Sequence, residues 1–174
     1  ERDLDAEEPE EVIRYPRDPS PGTAIPDAPE PLEPGSAEIM LHPQTDRPGS
    51  TVWIWALGDM LPVALDTAAL LREGGIDAGV VDARFVKPID KRLLRRQAVK
   101  TRLFATIENG VAAGGFGSGL LEALAGEGLS VPVRMFGWPD RIVGQGTTQT
   151  LRQEHGLTAP AMARNTGRNT ATKR

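Results

Sequence analysis

Cysteine is absent from the 174 residues. That excludes disulfides, thiolate nucleophiles and cysteine-ligated metals together. Histidine is nearly absent too. Only His42 and His155 can supply imidazole, and they stand far apart without helical metal spacing. No apolar run approaches the roughly 20 residues of a membrane span, and no signal peptide opens the chain, so a cytoplasmic protein without a membrane partner is expected. Positive charge is not in excess. The formal net charge is −4, so nucleic acid is not an expected partner. The apolar fraction, 39%, is low, so part of the chain is expected to lie outside a packed core. Position 1 is Glu rather than Met, which suggests a piece of a longer polypeptide.

What is present divides near Ser36. Glu1–Glu11 is acidic, Val12–Tyr15 is a short β-prone run, and from Pro16 to Pro34 prolines recur too often for helix or central strand. This reads as an extended linker. Beyond it, strands are expected at Ala37–His42, Thr51–Leu57, Asp77–Phe85 (core Val80, Val81 and Phe85), Arg102–Ile107 and Val131–Phe136. Helices are expected between them. One is capped by Asp59 and carries Leu61, Ala64, Leu65, Ala68 and Leu71 to a stop at Gly74-Gly75. A basic one is capped by Asp90 and runs to about Val99 with Leu93 and Leu94 inward. A third ends near Ala125, and a final one is capped by Thr147 and ended by Gly156. Gly137-Trp138-Pro139-Asp140 reads as a turn and Thr166–Arg174 as a frayed end. Strand–helix alternation predicts βαβ units on a largely parallel, helix-covered sheet, with Ala37–His42 as an edge strand.

Ala105–Leu121 organises the rest. A buried strand is expected to end at Glu108-Asn109, followed by a loop with Gly114, Gly115, Gly117 and Gly119 and a helix with Phe116, Leu120 and Leu124 on its core face. Such joints hold ligands in α/β proteins, and equally they join a strand to a closely packed helix. Glu108-Asn109 thus reads as a structural turn or as a ligand or interface contact. The glycine loop reads as packing or as an anion site, though it lacks the Lys-Ser/Thr of a phosphate loop and the G-x-G-x-x-G spacing. Arg92, Arg95, Arg96 and Lys100 form a basic face, solvated or docked to a partner. Trp53, Trp55 and Trp138 read as core or interface aromatics, and His155 as a helix-end residue. No complete catalytic set stands in the chain.

Seven segments taken in order are more specific: Arg14-Tyr15-Pro16-Arg17, Gly58–Pro62, Val81–Asp90, Ile107-Glu108-Asn109, Gly114–Gly119, Trp138-Pro139-Asp140 and Gln145-Gly146-Thr147. The series resembles the C-terminal domain of the 1-deoxy-D-xylulose-5-phosphate synthases, transketolase-type enzymes that use thiamine diphosphate. The likeness runs from about Glu11 to Met162. It implies a three-layer α/β fold, a five-stranded mostly parallel sheet with one antiparallel edge strand. It implies residues 1–17 as the end of a preceding pyrimidine-binding domain, 18–35 as a linker, 36–164 as the domain and 165–174 as a flexible tail. In the family, thiamine diphosphate and Mg²⁺ are held by other domains, so this chain alone is expected to bind neither, to hold no catalytic residue and to be inactive. Its expected partners are the remaining domains and a second copy in a homodimer, and its expected role is structural. The second arginine of the Arg-Tyr-Pro-Arg motif, Arg17, is implied as the ligand for the substrate phosphate, and a guanidinium suits that task. Asp18 follows where the family has glycine. The Gly-Gly-Phe-Gly loop is shared with β subunits of 2-oxoacid dehydrogenases, which leaves such a subunit, another transketolase, or a stand-alone anion-binding or assembly module as alternatives.

Overall fold

The computed structural model describes residues 12–13, 15, 27–45 and 47–170. Five strands form one sheet: β1 (Glu38–Leu41), β2 (Thr51–Ala56), β3 (Ala78–Asp82), β4 (Thr101–Val111) and β5 (Val133–Trp138). Their order is β1-β3-β2-β4-β5. β1 runs antiparallel to β3, and the other pairs are parallel. The three-layer α/β sheet with one antiparallel edge is therefore as expected.

The layers follow from alternation along the strands. Val52, Ile54 and Ala56 of β2 and Leu103, Ala105 and Ile107 of β4 face one side. There they meet Met60, Ala64, Ala68 and Leu71 around α1 (Leu61–Glu73), and Met162 of α5 (Ala159–Thr170). Trp53, Trp55 and Phe104 face the other side, against Leu93 and Leu94 of α2 (Lys91–Ala98) and Phe116, Leu120 and Leu124 of α3 (Phe116–Gly126). β2 is buried along its whole length, so a continuous β-branched and aromatic run is what it needs. α4 (Thr148–Glu154) lies outside both cores and buries none of its residues. Among the described residues no helix is long and apolar enough to cross a membrane.

Several local expectations are corrected. β3 stops at Asp82 because Arg84 takes a left-handed conformation (φ 57°), held by its N–H donating to Asp82 Oδ1 at 3.0 Å. Phe85 therefore lies beyond the strand, half-buried rather than in the core. Asp59 does not cap α1. A 3-10 turn, Gly58–Met60, leads into the helix, and no side chain caps it. Asp90 and Thr147 do cap, accepting from Leu93 N at 2.8 Å and Thr150 N at 3.2 Å. β4 continues past Glu108-Asn109 to Val111, and β5 takes in Gly137 and Trp138, because Val111 pairs with Trp138 across an irregular register. The helix ended by Gly156 is not the last. α5 runs on through residues 165–170, expected as tail, with Thr166 fully buried against the core side of the helix.

Candidate functional site

The chain leaves β2 towards β3 on one side through α1, and the later strand β4 lies on the other side of β2. α1 and α3, which follow β2 and β4, cover opposite faces. The carboxyl ends of β2 and β4 therefore flank the topological switch point, where open α/β sheets bind ligands. Two candidates from the sequence stand there: the Glu108-Asn109 pair and the glycine loop.

Glu108 is buried, 3% exposed. Alternation turns its side chain to the α3 face, as with Phe104 and Thr106. One carboxylate oxygen accepts from Phe116 N at 2.9 Å and the other from Gly117 N at 3.0 Å. These are free N–H groups of the first turn of α3, where a helix favours an anion. The glycine loop is thus an anion site filled by the chain's own carboxylate. Two of its glycines, Gly115 and Gly117, serve close approach. A Cβ at Gly115 would collide with Val111 O and the Glu108 carboxylate, and one at Gly117 would lie 2.5 Å from Thr106 Oγ1 and 2.6 Å from Met135 Cγ. Ser118 Oγ accepts from Gly114 N at 3.0 Å and closes the loop. The anion-binding module loses its site by this arrangement.

Asn109, one residue on, points the other way. Its Nδ2 donates to Asp59 Oδ2 at 3.0 Å, and its Oδ1 accepts from Trp138 Nε1 at 2.7 Å. Arg152 of α4 donates to the same Asp59 oxygen at 2.7 Å. Trp138 meets His155 edge-on, ring centroids 5.6 Å apart. Four segments, the turn after β2, β4, β5 and α4, are tied together across the carboxyl edge by this chain of charge-assisted and neutral bonds. Arg152 had no signal in the sequence, since its partner is 93 residues away. Trp53 and Trp55 are core, and Trp55 Nε1 donates to the buried Gln97 Oε1 at 2.8 Å. In the basic face, Lys91 and Arg95 pair with Glu127 at 3.6 and 3.0 Å, which fastens α2 to the end of α3.

Both oxygens of the Glu108 carboxylate are taken up by backbone donors of α3. The described residues do not fit thiamine diphosphate and Mg²⁺. No group of three acidic, histidine or cysteine residues could hold a metal among them, and the N-terminus of α3 holds the Glu108 carboxylate. Arg17 lies outside the described residues.

Comparison with known proteins agrees with this architecture. Residues 41–162 match the family "Transketolase, C-terminal domain". The chain is 43% identical over 153 residues to the 1-deoxy-D-xylulose-5-phosphate synthase of Heliobacterium modesticaldum, covering 88% of this chain and 23% of that one. It is 41% identical over 157 residues to the same enzyme of a Synechocystis strain, covering 88% and 23%. It thus spans about a quarter of the length of these relatives. A solved split-gene transketolase, an inactive β4 tetramer, superposes with a TM-score of 0.71 at 36% identity over 82% of this chain and 45% of that one. With the matched region containing all of β2 to β5 and the glycine loop that Glu108 closes, the chain belongs to the transketolase C-terminal domain family.

Proposed function

We propose that this chain is the C-terminal domain of a thiamine-diphosphate-dependent 1-deoxy-D-xylulose-5-phosphate synthase, which joins pyruvate and glyceraldehyde 3-phosphate with loss of carbon dioxide. The observation that carries the reading is identity of 38% to 43% with synthases of that name along most of this chain. The domain's own contribution is structural. The bonds of Glu108, Asn109, Asp59 and Arg152 to one another and to the backbone at the carboxyl edge support that role. Cofactor and Mg²⁺ belong to other domains of the parent, and a cytoplasmic homodimer is part of the same proposal.

Arg17 reads the aldehyde phosphate. In the full-length polypeptide, Arg17→Ala raises KM for glyceraldehyde 3-phosphate and leaves KM for pyruvate nearly unchanged. One hydrogen bond to a charged group is worth about 1.5–3 kcal/mol, so kcat/KM falls roughly 10- to 150-fold. Steady-state kinetics with phosphorylated and unphosphorylated aldehydes is the test. Equal losses on both aldehydes assign Arg17 to the domain junction instead, and no turnover of pyruvate by the wild type removes the synthase reading.

The likeness to a split-gene transketolase favours a second reading, ketol transfer without decarboxylation. A parent that uses a ketose phosphate donor in place of pyruvate selects it.

A further inference from the structure

The amino edge of the parallel strands, at the other end of the sheet from Glu108, carries a cavity of about 730 Å³. It opens where α2, only eight residues long, leaves a corner of its face of the sheet uncovered. Ile39 of β1 and Trp53 of β2 line it from the sheet. Gly79 of β3, opposite Trp53 in register, lies so close to the indole that a Cβ would fall 2.5 Å from Cζ3. Residues 42–45 form one wall, and the side of α2 that bears Leu93, Arg96 and Gln97 forms the other.

Both walls are fixed by bonds of their own. The Asp77 carboxylate accepts from Gln44 N at 2.8 Å, from Thr45 N at 2.9 Å and from Thr45 Oγ1 at 3.0 Å. Arg72 donates to His42 O and to Ala78 O. On the other side Trp55 Nε1 donates to Gln97 Oε1 at 2.8 Å. Gly49 N donates to Lys100 O at 2.9 Å and so ties the β1–β2 connection to the end of α2. Walls set in place beforehand lose little freedom when a ligand binds.

The lining has one sign of charge. Arg96 and Lys100 bring cations to it, and among the described residues that line it none is acidic. Gln97 gives a second, independent signal. It is 5% exposed, its amide oxygen is taken by Trp55, and its Nε2 is buried with no acceptor among the described residues. Buried donors are normally met. Gln97 lines the cavity, so an acceptor held there is placed to meet this one. Ile39, Pro43 and Leu93 add apolar surface, and cavities of about 300–1,000 Å³ hold small organic molecules.

We propose that this cavity binds a small organic anion, a phosphate or carboxylate on a compact apolar body. The anionic group meets the Arg96 guanidinium, which pairs with either anion through parallel bonds. An oxygen of the ligand accepts from Gln97 Nε2, and the body lies on Ile39, Pro43 and Leu93. The site is built wholly from this chain and does not rest on the synthase reading.

Hydrogen exchange of the full-length polypeptide, with phenyl phosphate as probe, tests it. At about 10 mM probe and a Kd of about 1 mM, amides of residues 44–45 and 97–100 exchange about ten-fold more slowly. Arg96→Gln removes the slowing, whereas Arg92→Gln, on the same helix but outside the cavity, keeps it. Benzoate separates the two anions: stronger slowing of the same amides by benzoate assigns the site to carboxylates, weaker slowing to phosphates, and either sustains the proposal. Phenol acting as strongly as phenyl phosphate overturns the anionic requirement, and inorganic phosphate acting as strongly overturns the apolar body. No slowing by any probe, or slowing that survives Arg96→Gln, overturns the site. Phosphate held elsewhere in the full-length protein slows other segments, so the synthase reading and this site fail separately.

Discussion

Glu108 shows how one residue can carry opposite meanings in sequence and structure. At a carboxyl strand end beside a glycine loop, a carboxylate reads equally as a turn or as a ligand contact. Its two bonds to Phe116 N and Gly117 N decide for packing. Glu108→Ala leaves both donors buried without an acceptor and lowers stability by about 3–5 kcal/mol, taking about 1.5–3 kcal/mol for each bond to a charged group with partial relief by water. Glu108→Gln fares little better, because an amide offers one oxygen and sets its NH₂ against the other N–H. Urea denaturation measures both; a midpoint unchanged in the alanine variant would show that the carboxylate is not holding the helix. Asp77 supplies a pH-dependent case. Burial pushes its pKa up, but hydrogen bonds from the Gln44 and Thr45 amides and the Thr45 hydroxyl, with the charge of Arg72, outweigh it and hold the pKa below the ordinary value of 3.8. A depressed folded pKa contributes stability that is present above the unfolded value and lost as pH falls through the folded one. Asp82 works the other way. Burial raises its pKa against the pull of Arg84, so its share is present at low pH and lost as pH rises through the folded value. Asp77→Asn therefore lowers the urea midpoint at about pH 7, and its gap to wild type narrows as pH falls below the ordinary value of 3.8. A gap that persists in acid would mean that shape rather than charge matters there.

Elements were legible where a local rule governs and misplaced where a distant partner does. The Phe116, Leu120 and Leu124 stripe is buried as its spacing requires, and Asp90 and Thr147 cap the helices that their positions announce. Asp59 looked like a cap by the same rule, yet Asn109 and Arg152 claim its carboxylate. Polar Glu108-Asn109 looked like a strand end, and the continuation to Val111 depends on pairing with Trp138, which no local pattern records. α5 was obscured by Gly167 and its polar neighbours; its helix is set by packing on α1, where Thr166 is buried and Gly167 faces Ile76. The α3 joint gives an element-scale test. Gly117→Ala places a methyl against Thr106 Oγ1 and Met135 and forces the helix off β4 and β5, at a cost of about 1–3 kcal/mol by overpacking. Gly126→Ala, in the last turn where a Cβ meets nothing, is neutral or slightly stabilising. Comparable losses in both would mean that helix propensity and not the close approach sets the requirement.

For the molecule as a whole, the alternation of strands and helices made the fold class readable, and the ordered motifs made the family readable. The chemistry was not: Glu108, Asn109, Asp59 and Arg152 at the carboxyl edge bond one another and the backbone, and the role proposed for the domain is to hold that edge in place within a larger enzyme. The most direct measurement incubates pyruvate, glyceraldehyde 3-phosphate, thiamine diphosphate and Mg²⁺ with the full-length polypeptide, and separately with the 174-residue chain, and identifies products by NMR. The account predicts 1-deoxy-D-xylulose 5-phosphate and an equal amount of carbon dioxide from the full-length protein. From the chain alone it predicts no product, and no thiamine diphosphate binding tighter than about 100 μM, roughly −5.5 kcal/mol. Turnover or tighter cofactor binding by the chain alone, or a full-length protein that leaves pyruvate untouched, would contradict it.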